Sequence, residues 1–258
     1  MAIRMHATHP TNGCRPITET VSRPDVTPAA IVTDWQQRLP VLAGGGVLLR
    51  QLKPSDAAPL FMLLTTEEVA RFITPPPTTV AGFEQFIAWA IDRQRHGKVA
   101  FFAITLRGSD AAVGLFQVRL LDGDITTAEW GFAIGSPYWG TGLFPQGASL
   151  TLEFAFETLG VERLEARSMM ANARGNAALR KMGAVTEGVL RKSFEKGGRR
   201  HDQVLWSILA EDWRDSRGVL MPARDTGVVT ELADDANAEA PGAALWADAR
   251  TPILVRVH

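Results

Sequence analysis

The stretch from Glu129 to Gly160 constrains this chain most, because it reads as a strand, a glycine-rich turn and a long apolar helix in direct succession. Trp130, Phe132 and Ile134 alternate with Glu129, Gly131 and Ala133, the two-residue period of a strand. Ser136-Pro137 ends it: proline cannot extend a hydrogen-bonded ladder, and it pushes the residue before it out of the helical region. Next comes Tyr138-Trp139-Gly140-Thr141-Gly142-Leu143-Phe144-Pro145. Two glycines one residue apart open backbone conformations closed to other residues and let a ligand approach the amides. Pro145 suits the first turn of a helix, where its missing N–H would have had no partner. Leu143, Ala148, Leu150, Leu152, Phe154, Ala155 and Leu159 carry the helix to Gly160, a C-terminal stop. The free amides and positive dipole end of such a helix attract anions, so the arrangement suggests phosphate binding.

Two familiar phosphate motifs do not account for it. A GxGxxG dinucleotide fingerprint counted from Gly140 needs glycine at 145, which is Pro145, and no Gly-Lys-Ser/Thr run closes a P-loop. Gly44-Gly45-Gly46 leads into a strand rather than a helix and reads as a hinge.

The chain has 258 residues, 46% hydrophobic and 21% charged, enough for one well-cored domain with appendages. A net charge of −1 makes no electrostatic case for nucleic acid or an anionic membrane as partner. The single cysteine, Cys14, excludes an intramolecular disulfide framework and suits a reducing compartment. The N-terminus has no signal-peptide core, and no apolar run approaches the roughly 20 residues that span a bilayer. A cytoplasmic protein is expected. The five histidines show no metal-ligand spacing, so no metal is expected either, and no Ser-His-Asp set is present.

Residues 1–40, rich in Pro, Thr and Arg, read as a flexible extension, and residues 216–258, rich in Ala, Asp and Glu, as a flexible tail. The folded domain is expected over 41–215. Its pattern predicts a strand at Val47–Arg50, a short helix from Pro54 to Leu64, and an extended Pro75-Pro76-Pro77 segment. Phe83, Phe86, Ile87, Ala90 and Ile91 fall at amphipathic helical spacing. Strands follow at Val99–Leu106, Ala112–Leu120 and Thr126–Ile134. After the central helix come a strand at Leu164–Ser168 and a helix from Asn172 to Met182. Strands at Val185–Leu190 and Gln203–Leu209 are joined by a basic loop at Lys196–Arg200, and a last turn begins at Glu211. The fold class is α/β (α+β): a mixed, mostly antiparallel sheet flanked by helices, its one parallel pair joined by the crossover through the central helix.

At this point the sequence resembles the GNAT superfamily of N-acetyltransferases, and in particular its Rim-type branch of ribosomal-protein N-acetyltransferases. Tyr138-Trp139-Gly140-Thr141-Gly142 is similar to the branch's Tyr-Trp-Gly-x-Gly turn. Asn172-x-x-Gly175 with Lys181-x-Gly183 resembles its Asn-x-x-Ser and Lys-x-Gly segment, and Ala128-Glu129-Trp130-Gly131-Phe132 its Ala-Glu-Ile-Gly-Tyr strand. The likeness spans about residues 46–213. It departs at Leu143-Phe144-Pro145, where the family continues Gly-x-Ala, at Gly175 in place of serine, and at Leu179, where other branches carry a thiolate-protonating tyrosine.

The resemblance implies transfer of acetyl from acetyl-CoA, as co-substrate, to a primary amine on a protein N-terminus or small molecule. It implies that Phe132, Ala133, Ile134, Trp139, Gly140, Thr141, Gly142, Leu143, Phe144 and Asn172 hold coenzyme A. Glu129 is the expected base, directly or through water, and Asn176 or water the expected proton donor to the thiolate. Phe72, Ile73 and Pro75 are expected to line the acceptor site. A non-catalytic acyl-CoA-binding module is the alternative reading, and monomer and homodimer both stay open.

Overall fold

The computed structural model describes residues 34–121 and 124–220; the expected segments over 1–33 and 221–258 lie outside the described residues. Eight strands form one sheet in the order β1-β2-β3-β4-β5-β6-β8-β7. They are β1 (Leu42–Gly44), β2 (Val47–Gln51), β3 (Val99–Leu106), β4 (Gly114–Leu121), β5 (Asp124–Ile134), β6 (Arg163–Met169), β7 (Val185–Lys196) and β8 (Arg199–Leu209). Every neighbouring pair is antiparallel except β5 and β6, which the crossover through the central helix makes parallel. This is the mixed, mostly antiparallel sheet expected from the pattern.

Among the described residues six α-helices flank it: α1 (Ala57–Leu64), α2 (Glu67–Ala70), α3 (Val80–Arg95), α4 (Leu143–Glu153), α5 (Ala173–Lys181) and α6 (Ala210–Leu220). Thr79 opens α3 by accepting from the Gly82 amide at 3.0 Å. One sheet face packs on α3, where Phe101 meets Phe86 edge-on with ring centroids 5.2 Å apart and Trp89 at 6.0 Å. The other packs on α4, with Phe132 against Phe144 at 4.4 Å and Phe116 close to Gly147. A Cβ on Gly147 would lie 2.6 Å from the Phe116 ring and 2.8 Å from Ile104 Cδ1, so glycine there lets the helix lie flush on the strands.

Four elements differ from expectation. The glycines at 44–46 turn a hairpin between β1 and β2, with Gly45 at φ +60, instead of acting as a hinge. The central helix widens into a π-type turn over Phe154–Thr158 before Gly160 stops it. The basic loop narrows to a two-residue turn: β7 and β8 run to a tip at Gly197-Gly198, both in left-handed conformation. Its charges suggest a loop, but an edge strand exposed along most of its length accommodates them. The last turn is helix α6.

Candidate active site

Strands β5 and β6 pair only where Thr127, Ala128 and Glu129 meet Arg163, Leu164 and Glu165. Beyond that, β5 stays bound to β4 as far as Ile134, and β6 to β8 as far as Met169. The two strands therefore part, leaving backbone N–H and C=O groups along the gap without a ladder partner. A cavity of about 640 Å³ opens there. Its walls are Phe132, Ala133 and Ile134 of β5, the turn from Tyr138 into the start of α4, one face of α5, and residues Glu68, Val69, Arg71, Phe72 and Ile73 on and after α2.

The turn is built for close approach. Gly140 (φ +77) and Gly142 (φ +84) sit in the left-handed region. A Cβ on Gly140 would meet nothing within 4 Å, so glycine is needed there for its backbone angle and not for space. No side chain caps α4, which leaves the Leu143 and Phe144 amides without a helical or capping partner; Pro145 has no N–H to add. Two orphan amides and the helix dipole suit a phosphate, and the ladder-free strand edges suit an extended amide-bearing arm. These residues fit coenzyme A.

Basic side chains face the same cavity. The Arg174 guanidinium lies 4.2 Å from the Trp139 ring centroid, while the Trp139 indole N–H donates to the Ile134 carbonyl at 2.8 Å. Arg174, Ala177, Ala178 and Lys181 line the cavity at helical spacing, so α5 offers small residues flanked by two cations. That spacing was visible in the sequence but carried no motif.

Asn172 lines the cavity and caps α5, its Oδ1 accepting from the Gly175 amide at 2.9 Å. A Cβ at Gly175 would lie 2.4 Å from Asn172 Nδ2, so the glycine that stands in the serine's place also leaves room for this cap. Asn176 is placed otherwise than expected. Its amide donates to the Met169 and Asn172 carbonyls at 3.0 and 2.9 Å, its Oδ1 accepts from the Trp206 indole at 3.0 Å, and it is not on the cavity wall. It ties α5 to β6 and β8. Of the remaining expected residues, Trp139, Gly140, Gly142, Phe144, Phe72 and Ile73 line the cavity. Thr141 instead donates its hydroxyl to the Tyr138 carbonyl at 2.8 Å, Leu143 is buried in the core, and Pro75 is exposed away from the wall.

Glu129 is fully buried at the point where β5 and β6 part, on the α3 face of the sheet with Gly131 and Ala133. Arg119, its cross-strand neighbour, donates to Oε2 at 2.6 Å. Oε1 has no hydrogen-bond partner, nor does Arg119 Nε. A buried acceptor in this condition is a place for an ordered water. The carboxylate itself does not form part of the cavity wall.

A parted parallel strand pair beside an uncapped glycine-turn helix makes a site suited to a phosphate-bearing molecule with an extended arm. The family profile described as "Acetyltransferase (GNAT) domain" matches residues 47–185, and the chain belongs to this family. It is an acetyl-CoA-dependent acetyltransferase, and its relatives extend to the Rim-type branch. The uncharacterised N-acetyltransferase YoaA of Bacillus subtilis is 27% identical over 175 residues, 66% of this chain and 97% of YoaA. Mycobacterium smegmatis RimJ, solved in complex with CoA-disulfide, superposes with a TM-score of 0.61 at 22% identity, covering 69% of this chain and 92% of RimJ. The ribosomal-protein-S5-alanine acetyltransferase of Vibrio fischeri superposes with a TM-score of 0.60 at 19% identity, covering 67% of this chain and 98% of its own. No helix among the described residues is long and apolar enough to cross a membrane.

Proposed function

We propose that the protein acetylates a primary amine, with the N-terminal amine of a protein as first candidate. The convergence of the ladder-free edge of β5 and the uncapped start of α4 on one cavity carries this reading. The ribosomal-protein acetyltransferases among its structural neighbours favour a protein N-terminus over a small amine. Acetyl-CoA supplies the activated carbonyl.

The Leu143 and Phe144 amides, with Arg174 and Lys181, take the phosphates, and the open edge of β5 at Phe132–Ile134 aligns the arm. The acceptor reaches the parting of the strands past Phe72 and Ile73. Its nitrogen bonds to the carbonyl carbon, the carbon–sulfur bond breaks, and the nitrogen's proton leaves toward Glu129 through a water at Oε1. Arg119 balances that carboxylate's charge and holds Oε2, so Oε1 is the oxygen left to accept. With Asn176 committed to packing, the departing thiolate takes its proton from water.

Calorimetric titration of the full chain with acetyl-CoA, beside Gly142→Pro, tests the carrier site, and thiol release with an alanine-initiated peptide and a panel of small amines tests the acceptor. Binding lost in the variant, with peptide turnover by the wild type, supports the reading. Binding without turnover on any amine points instead to a non-catalytic acyl-CoA-binding module.

A further inference from the structure

The cavity wall carries three cations, Arg71, Arg174 and Lys181, and one carboxylate, Glu68. Such a wall repels an ammonium ion unless something answers the excess. On α5 the phosphates of the acyl carrier do so. On the α2 side only Glu68 can: Arg71, three residues on, lies with its guanidinium 5.3 Å from the Phe72 ring centroid, and no ion pair among the described residues engages Glu68. Glu129 has the right charge but is buried and bound to Arg119.

This wall is also held in place. Lys196, at the end of β7, donates to the carbonyl oxygens of Ala70, which ends the helix carrying Glu68, and of Ile73 on the cavity wall. A carboxylate on a fixed segment binds an ion better than one on a free loop, because less order is imposed on binding. We propose that Glu68 is the specificity-determining residue that receives the acceptor as an ammonium ion, so that the enzyme selects cationic amines over neutral nucleophiles. This rests on the amine-acetylation reading above. Glu68 binds the charged form; one proton then passes to solvent water to free the amine, and the second leaves toward Glu129 as the amide bond forms.

The test compares wild type, Glu68→Gln and Glu68→Asp as full chains. Thiol release is followed with an alanine-initiated peptide, with benzylamine, and with hydroxylamine, which is uncharged at neutral pH. Loss of one charge-assisted hydrogen bond predicts a roughly ten- to hundredfold rise in KM for the two cationic amines in Glu68→Gln. Hydroxylamine kcat/KM and acetyl-CoA affinity should stay unchanged, and Glu68→Asp should recover part of the loss. An equal loss for hydroxylamine, or none for the amines, overturns the proposal. Calorimetry of benzylammonium with the CoA-saturated protein provides a readout free of turnover. If no nucleophile is acetylated but this binding requires Glu68, the transferase reading fails and the ammonium subsite stands. Equal binding by wild type and Glu68→Gln, or none by the wild type, overturns the subsite.

Discussion

Lys196 donates to the Ile73 carbonyl at 2.6 Å, joining the end of β7 to the α2 side of the cavity wall across 123 residues of sequence. It also reaches the Ala70 carbonyl, and burial of the ammonium lowers its proton affinity below the ordinary lysine value of 10.5. Lys196→Met strands the Ile73 carbonyl, while the Ala70 carbonyl keeps the Ile73 N–H at 3.4 Å, and should destabilise the fold by about 1–2 kcal/mol. Acceptor KM should rise while acetyl-CoA affinity holds, as steady-state kinetics with each substrate varied will tell. The pH dependence has a defined sign. Between the lowered folded value and 10.5 the unfolded chain binds more protons, so this residue makes stability rise with pH in that window, and the rise should vanish in Lys196→Met.

Arg119 and Glu129 make a prediction about a stranded charge. Arg119→Met leaves a fully buried carboxylate without its partner and should cost about 3 kcal/mol in urea denaturation, less than a fully dry pair would because Arg119 is partly exposed. Glu129→Gln keeps an acceptor for Arg119 and should unfold within about 1 kcal/mol of wild type. Its turnover should nevertheless fall roughly 10²–10⁴-fold with acetyl-CoA binding kept. A variant of normal turnover would remove Glu129 from the chemistry.

The strand, turn and helix around Gly140 were legible because each is a local pattern: alternation, a glycine pair, a first-turn proline. Glu68 was not, since α2 has four residues, too few to show a period. The Arg119–Glu129 pairing depends on cross-strand register, which shifts at Leu120/Leu121 and has no signature in either strand alone. Asn176 looked free beside a motif because its partner, Trp206, lies 30 residues away. Strand β1 was hidden by its brevity, three residues running into glycines. Local chemistry was readable; what each side chain touches across the sheet was not.

Glu187 and Arg163 set an acid limit. Arg163 donates to Glu187 Oε1 at 2.7 Å and the Ser207 hydroxyl donates to the same oxygen at 2.8 Å. The arginine bond first, and then the hydroxyl, hold the carboxyl at about 2, below its ordinary 4.5. A lowered folded value means stability that is complete above 4.5 and is lost as pH falls toward 2. The pair is largely solvated, so the gain is at most about 1 kcal/mol. Glu187→Gln should flatten the melting temperature against pH over that interval and lower it slightly near neutrality, where the wild type has the whole contribution.

Gly140 and Gly147 are glycines for different reasons, and alanine separates them. At Gly140 the added methyl meets open space, so Gly140→Ala costs only the left-handed backbone, about 1–2 kcal/mol, and falls directly on the turn amides. At Gly147 the backbone is ordinary helix, but the methyl would press on Phe116 and Ile104. Overpacking of about 1–3 kcal/mol, partly offset by alanine's better helix propensity, should lift α4 from the sheet. Calorimetry should therefore find acetyl-CoA affinity reduced in both variants. A second-site cavity such as Ile104→Val removes one of the two contacts and should restore part of the affinity in Gly147→Ala while leaving Gly140→Ala unchanged. Restoration of both would mean that the turn follows the seating of α4 and not the glycine angles.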